Sequence, residues 1–245
     1  TEGNAPFYLG LIALRQARWV DAVDSFQSAV ELGGQRPAGL HNLALALERS
    51  GRLAEAEAAG AEAVSRARDD ARPMLLWGVI ALKREDPEVA EGRLMKAREL
   101  FGSRAVPPLW FWAAALAAGT AGDLSRAVAV AREGVTAWPQ HAVLRNNLAV
   151  LLEATGELAE AERLLRAALA DEPSLPQLSK NLGDLLYRAG RYDDAQEAFD
   201  RAEFAVMKLA LPLAGIMALW LGVMRLAEKA GLIQVMARAL QPILR

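Results

Sequence analysis

Two stretches of this chain share one arrangement: HNLALALERSGRLAEAEAAGAEAV at residues 41–64 and NNLAVLLEATGELAEAERLLRAAL at residues 146–169. In each stretch a glycine separates two segments rich in alanine and leucine, and an alanine follows the glycine five positions later. Apolar residues at helical spacing on both sides of a glycine predict two helices and a tight turn, because glycine accepts the left-handed conformation that ends a helix. The two stretches therefore predict helical hairpins.

The alanine after the turn recurs along the chain, with successive spacings of 34, 34, 37, 34 and 34 residues. A second column of small residues lies twelve positions before this alanine, and a third lies seven positions after it. A fixed period of this length is typical of stacked helical repeats. The three columns are Ala22, Ala56, Ala90, Ala127, Ala161 and Ala195; Gly10, Ala44, Gly78, Ala115, Ala149 and Gly183; and Ala29, Ala63, Ala97, Gly134, Ala168 and Ala202.

The small columns have a physical reason. Two antiparallel helices approach closely only where the facing side chains are small, while larger residues such as Phe26 and Phe199 fill the space beside the contact. Each hairpin then exposes an apolar flank that only the next hairpin can cover, so stability builds by stacking. Turn glycines are expected at Gly51, Gly122, Gly156 and Gly190.

The pattern resembles the tetratricopeptide repeat family, with the two quoted stretches as its clearest copies. The resemblance covers residues 3 to 207 and implies an all-α fold, a right-handed α-solenoid of six antiparallel helical hairpins, followed here by two C-terminal helices. Departures from the family pattern are local: Gly60 and Ala131 replace a bulky residue of the second helix, and Glu85 replaces a turn glycine. We expect the hairpins, numbered 1 to 6, at residues 3–36, 37–70, 71–104, 108–141, 142–175 and 176–207.

The resemblance also implies a binding surface, since arrays of this family usually present their first helices on a concave face where peptides lie. Asn42, Asn147 and Asn181 each stand two positions before the small residue of a first helix, on the side expected to face inward. An asparagine amide both donates and accepts hydrogen bonds, so it can pair with a peptide backbone without reading side chains. The alternative is that asparagine recurs only because a repeat was duplicated.

Other inward positions complete the predicted peptide-binding face. Lys180 and Arg188 beside Asn181 would also suit a clamp for a terminal carboxylate. Trp112 belongs either to this face or to the interior of the array. The central part of the face is expected to be apolar, with Leu75, Leu76, Val79, Trp112 and Leu116. The remaining predicted contact residues are His41, Arg49, Lys83 and Tyr187.

The composition excludes most catalytic chemistry. The chain has no cysteine and only two histidines, His41 and His141, which lie on separate hairpins and form no metal pair at helical spacing. No phosphate-binding loop, dinucleotide fingerprint or nucleophile elbow is present. A net charge of -2 offers no electrostatic basis for binding nucleic acid. We therefore predict a protein that is not an enzyme, takes no cofactor or metal, and binds protein or peptide rather than nucleic acid.

Residues 208–245 do not continue the repeat. An uninterrupted apolar run fills residues 209–224, and residues 204–224 are long enough as a helix to reach across a bilayer. An amphipathic helix is predicted after this run. The stretch AVMKLALPLAGIMALWLGVMRLAEKAGLIQVMARALQPILR at residues 205–245 resembles the opening of bacterial spore maturation protein A and related nucleoside-recognition (gate) membrane proteins. Two interpretations stay open: the segment contacts a membrane, or it caps the end of the solenoid.

Two functions follow from these patterns. The first is a non-catalytic scaffold that binds a peptide or protein segment on the concave face of its repeats. The alternative is the soluble arm of a membrane-anchored, gate-like transport protein. The richness in arginine and alanine is typical of bacteria with GC-rich genomes, so the bacterial cytoplasm or inner membrane is the expected location. Because the chain begins at Thr1 rather than at methionine, its sequence is compatible with a piece of a longer protein.

Overall fold

The structure is a computed structural model that describes residues 4–33, 37–204 and 206. These residues contain helices and no strand, which confirms the predicted all-α class. The chain divides into two compact units, Thr1–Leu164 and Leu165–Arg245. The two C-terminal helices predicted after residue 207 lie outside the described residues.

The helices follow one another with short turns between them. The first unit contains nine complete helices among its described residues, and α10 (Leu158–Asp171) begins in the first unit and ends in the second. The second unit also contains α11 (Pro176–Arg188) and a helical stretch over residues 192–204, here called α12. The helices of the first unit are α1 (Asn4–Arg15), α2 (Trp19–Gly33), α3 (Pro37–Arg49), α4 (Leu53–Arg66), α5 (Ala71–Lys83), α6 (Pro87–Phe101), α7 (Pro108–Thr120), α8 (Leu124–Ala137) and α9 (Ala142–Thr155).

In the first unit each odd-numbered helix packs against the even-numbered helix that follows it, from α1 with α2 to α7 with α8. The backbones of neighbouring odd-numbered helices also come within 8 Å of each other, from α1 and α3 through α7 and α9. No comparable approach occurs between α2, α4, α6 and α8 in the described part of this unit. The odd-numbered helices therefore line the inner side of the first unit.

The turn inside each hairpin is left-handed. All four predicted turn glycines have a positive φ, between 75° and 88°, which confirms their assignment. Ala17 and Glu85 occupy the same position in hairpins 1 and 3, and their φ values are 55° and 62°. A residue with a Cβ loses roughly 1–2 kcal/mol in this conformation. The hairpin thus imposes the turn on residues that do not favour it.

The small column on the first helix receives a side chain from the second helix. A Cβ added to Gly10 would lie 2.7 Å from Phe26, and one added to Gly78 would lie 2.9 Å from Leu94. In hairpins 2 and 4 the small column holds alanine, and the facing residue of the second helix is also small, Gly60 or Ala131. The pair of residues, rather than either alone, sets the distance between the helices.

Gly78→Ala and Gly92→Ala form a matched pair of tests, since each adds one methyl group to a helical glycine. At Gly78 the methyl group meets Leu94, so the free energy of unfolding should fall by about 1–3 kcal/mol. At Gly92 no neighbouring atom of the described residues lies within 4 Å of the added Cβ. There we expect a gain of about 0.5–1 kcal/mol from helix propensity. Urea unfolding of both variants of the whole chain measures the difference, and shifts of the same sign would contradict the size constraint.

Candidate functional site

His41 and Asn42 lie on α3 and are both half-buried. The Nδ1 atom of His41 is buried and has no hydrogen-bond partner among the described residues. Burial lowers the pKa of His41, and the positive charge of Arg72 lowers it further, against an opposing effect of Asp70. Asp70 caps α5 by accepting a hydrogen bond of 3.0 Å from the backbone N–H of Arg72, which places both charges at the start of that helix. His41 is therefore a neutral ring with unused hydrogen-bonding capacity at neutral pH.

A buried carboxylate joins the ends of α3 and α5. Glu48 is only 4% exposed, and its Oε1 forms an ion pair with Nζ of Lys83. Nε of Arg49 lies 3.2 Å from Oε2 of Glu48, a charge contact without hydrogen-bond alignment. The side chains of Lys83 and Arg49 keep 43% and 56% of their surface exposed. Glu48 thus anchors Lys83 and lies beside Arg49, and the cluster of these three residues keeps one net positive charge.

The predicted apolar centre of the face is wrong for α5. Leu75, Leu76 and Val79 are buried in the hydrophobic core, because α3 and α7 lie against both sides of α5. Leu116 on α7 is 40% exposed, in keeping with the prediction. Trp112, also on α7, is partly buried and packs against the core formed by α5 to α9. The exposed apolar surface on the inner side is therefore smaller than expected.

Asn147 lies on α9, at the same position of its hairpin as Asn42. Its side chain is half-buried, and its Nδ2 atom is buried without a hydrogen-bond partner among the described residues. A buried donor left unpaired costs about 1–3 kcal/mol, so it favours a partner that supplies an acceptor. A backbone carbonyl of a bound peptide is such an acceptor.

The second unit carries the other predicted contact residues, all on α11. Nζ of Lys180 forms an ion pair of 2.6 Å with Asp184, and Asn181 accepts a hydrogen bond of 2.8 Å from Gln177. Tyr187 is 60% exposed, and its ring meets Tyr192 edge to face with centroids 5.3 Å apart. Arg188 is exposed and takes part in a further interaction within the protein. Asn181, unlike Asn147, is thus already engaged by a neighbour on its own helix.

The sequence did not reveal a polar cluster between α4, α5 and α6. Nε1 of Trp77 donates a 2.9 Å hydrogen bond to Glu57, and the Arg93 guanidinium stacks over the Trp77 ring at 3.6 Å while bonding the same carboxylate at 2.6 Å. Burial raises the pKa of Glu57, but Arg93, Trp77 and Arg84 together outweigh burial and hold it below its ordinary value. One sign of the cluster is present in the sequence. Trp77 is larger than the leucines at the equivalent positions 9, 43, 148 and 182, and it is matched by the small Gly60 that its ring contacts.

Neither metal binding nor a membrane span is evident in the described ranges 4–33, 37–204 and 206. No group of three or more His, Asp or Glu side chains there could hold a metal ion. None of the helices in this part is both long enough and apolar enough to cross a bilayer. The predicted membrane segment, residues 204–224, falls almost entirely outside the described residues and stays a prediction.

Two family models match the chain, and both describe tetratricopeptide repeats. One matches residues 7–73, and the other matches residues 120–179 and 156–206, so that together they span more than half of the sequence. The chain belongs to the tetratricopeptide repeat family. Proteins of this family are generally non-catalytic scaffolds for interactions between proteins. No curated protein is similar enough in sequence to match the chain.

Solved structures of tetratricopeptide repeat proteins share the fold. PilF of Pseudomonas aeruginosa has a TM-score of 0.68 at 16% identity, over 80% of this chain and 88% of PilF. A repeat protein of Parabacteroides merdae has a TM-score of 0.68 at 18% identity, over 85% of this chain and 82% of its own. YrrB has a TM-score of 0.55 at 18% identity, over 80% of this chain and all of YrrB. At these sequence identities the similarity shows a shared fold and nothing about function.

The lowered pKa of His41 makes stability depend on pH. Below the ordinary pKa of histidine, about 6.5, the unfolded chain binds a proton that the folded chain resists. The free energy of unfolding should therefore decrease as the pH falls from that value toward the lower pKa of the folded state. Urea unfolding between about pH 7.5 and pH 5 should show a smaller loss for His41→Gln than for the wild type. Equal losses in the two proteins would refute a buried neutral His41.

Proposed function

We propose that the inner side of the first unit binds an extended peptide segment of another protein. The observation that carries this proposal is the buried, unpaired Nδ2 of Asn147 on α9. Asn42 stands at the same position on α3, beside the unpaired Nδ1 of His41. These groups offer hydrogen bonds to main-chain atoms, which every peptide carries. Such contacts do not depend on the side chains of the peptide.

The unpaired atoms favour an occupied face over an empty one. An unpaired donor or acceptor at a half-buried site has lost much of its contact with water without gaining a protein partner. Both residues, Asn147 and His41, are only half-buried, so a rotation of the side chain would present the buried atom to a ligand. A peptide carbonyl at Asn147 would then supply the missing acceptor, and a peptide N–H at His41 would supply a donor to the neutral ring. Because the pKa of His41 is lowered, this second contact would persist at neutral pH.

A charged cluster at one end of the face would orient a bound peptide. The cluster of Glu48, Arg49 and Lys83 carries one net positive charge at one end of α3 and α5. The ion pair with Glu48 restrains Lys83, so less side-chain entropy is lost when Lys83 contacts a ligand. An acidic residue or a backbone carbonyl of the peptide would lie at this end, and an apolar side chain would lie near the exposed Leu116.

The second unit is proposed to add contacts of its own through Lys180, Asn181, Tyr187 and Arg188 on α11. Tyr187 offers the largest exposed aromatic surface of this set. The structure of YrrB is described as that of a tetratricopeptide repeat protein with an unusual peptide-binding site, which supports a peptide as the class of ligand. The membrane-anchored alternative depends on residues 208–245 and has no support in the described residues.

Selection from a library of random linear peptides tests the proposal. Binders chosen on the wild-type chain should lose about tenfold in affinity with Asn147→Ala and with Asn42→Ala, which corresponds to about one hydrogen bond each. Fluorescence anisotropy of a labelled selected peptide measures the loss. Gln140→Ala, which removes an exposed amide from the turn before α9, serves as the control and should leave affinity unchanged. Wild-type affinity in both asparagine variants, or no selected binder at all, would overturn the proposed face.

A further inference from the structure

A second candidate site lies between α6, α7 and α8, away from the proposed peptide face. Here the structure contains an open cavity of about 210 Å³. Its floor comes from the first helix α7, and its walls come from the two second helices α6 and α8. The apolar residues that line it are Leu94, Met95, Trp110, Ala114, Ala117 and Val130.

Two ion pairs connect α6 to α8 around this cavity. Glu91 pairs with Arg126, and Glu133 pairs with Arg98, whose guanidinium also lies 4.6 Å from the centre of the Trp110 ring. The four charges cancel, so the cavity has no net charge to attract an ion. A ligand for it would be neutral and mainly apolar.

The preceding junction of the repeat shows what fits in this place. Between α4, α5 and α6 the corresponding space holds the indole ring of Trp77, whose N–H is bonded to Glu57. Counting along the repeat, Glu57 corresponds to Glu91 at a spacing of 34 residues. Trp77 corresponds to Ala114 at a spacing of 37 residues, because the chain has three additional residues between hairpins 3 and 4. The acceptor carboxylate is thus retained on α6, while the ring that would donate to it is absent. Leu94 stands at the position of Gly60 and fills part of the space beside the cavity.

We propose that this cavity binds a small neutral aromatic molecule that carries an N–H donor, of the indole type. The ring would lie against Leu94, Trp110 and Val130, and its N–H would donate to the carboxylate of Glu91. The Arg98 guanidinium can face the ring as a cation–π partner. The volume of about 210 Å³ is of the right order, since an engineered cavity of about 150 Å³ in another protein binds benzene, and this cavity is open, so that part of the ring can extend out of it. This site does not depend on peptide binding by the inner face.

Isothermal titration calorimetry of the whole chain with indole tests the proposal. We expect saturable binding at one site, and binding about tenfold weaker for 1-methylindole, which lacks the N–H but keeps the ring. Ala114→Leu fills the cavity and should abolish the indole heat. Ala117→Leu fills the cavity from the next turn of α7 and should also abolish the indole heat. The same result from two independent substitutions would show that the loss of binding comes from the filled cavity rather than from misfolding of one variant.

Ala121→Leu is the matched control, because it adds the same atoms at an exposed position after α7. It should bind indole like the wild type, and circular dichroism should show equal helix content in all variants. The proposal fails if the wild type shows no saturable indole binding, or if the cavity-filling variants bind as well as Ala121→Leu. Equal affinity for indole and 1-methylindole would reject the role of Glu91 and with it the proposed ligand class.

Discussion

The close contact between a small residue of one helix and a larger residue of its partner determines the hairpins of this protein. In hairpins 1 and 3, Phe26 and Leu94 lie where a Cβ on Gly10 or Gly78 would be. This contact sets the distance between the two helices. The turn must then connect two helix ends whose separation is already determined. Ala17 and Glu85 accept a left-handed conformation for that reason.

Differences in side-chain volume between neighbouring helices account for the cavity between α6, α7 and α8. Where α4 carries Gly60, the next hairpin supplies Trp77, and the space is filled by a ring with its own acceptor. Where α7 carries Ala114, the second helix α6 carries Leu94 in place of Gly60, and Leu94 fills the space only in part, so that a cavity remains. The inner face depends instead on the approach of the odd-numbered helices, which buries the apolar residues of α5 and leaves polar atoms such as Nδ2 of Asn147 without partners.

The repeat and its turns could be predicted from the sequence because they depend on residues at one fixed spacing. The tetratricopeptide family and the left-handed turns at glycines such as Gly51 follow from this local, periodic information. The same conformation at Ala17 and Glu85 was not predicted, because neither residue favours it. The exposure of the inner face could not be predicted in the same way, since it depends on how closely α3 and α7 pack on α5. The ion pairs of Glu48 and Glu57 were missed for a related reason: each links helices of different hairpins, and no short motif records such a link.

A double-mutant cycle at Gly78 and Leu94 measures the contact on which the hairpin depends. In the wild-type background, Gly78→Ala introduces an overlap with Leu94. In the Leu94→Ala background that overlap is removed. The facing pair then consists of two alanines, as it already does at Ala115 and Ala131 of hairpin 4. The free energy of unfolding should then be unchanged by Gly78→Ala, or raised by up to about 1 kcal/mol through helix propensity. The same loss of stability in both backgrounds would contradict a helix separation set by the size of the facing pair.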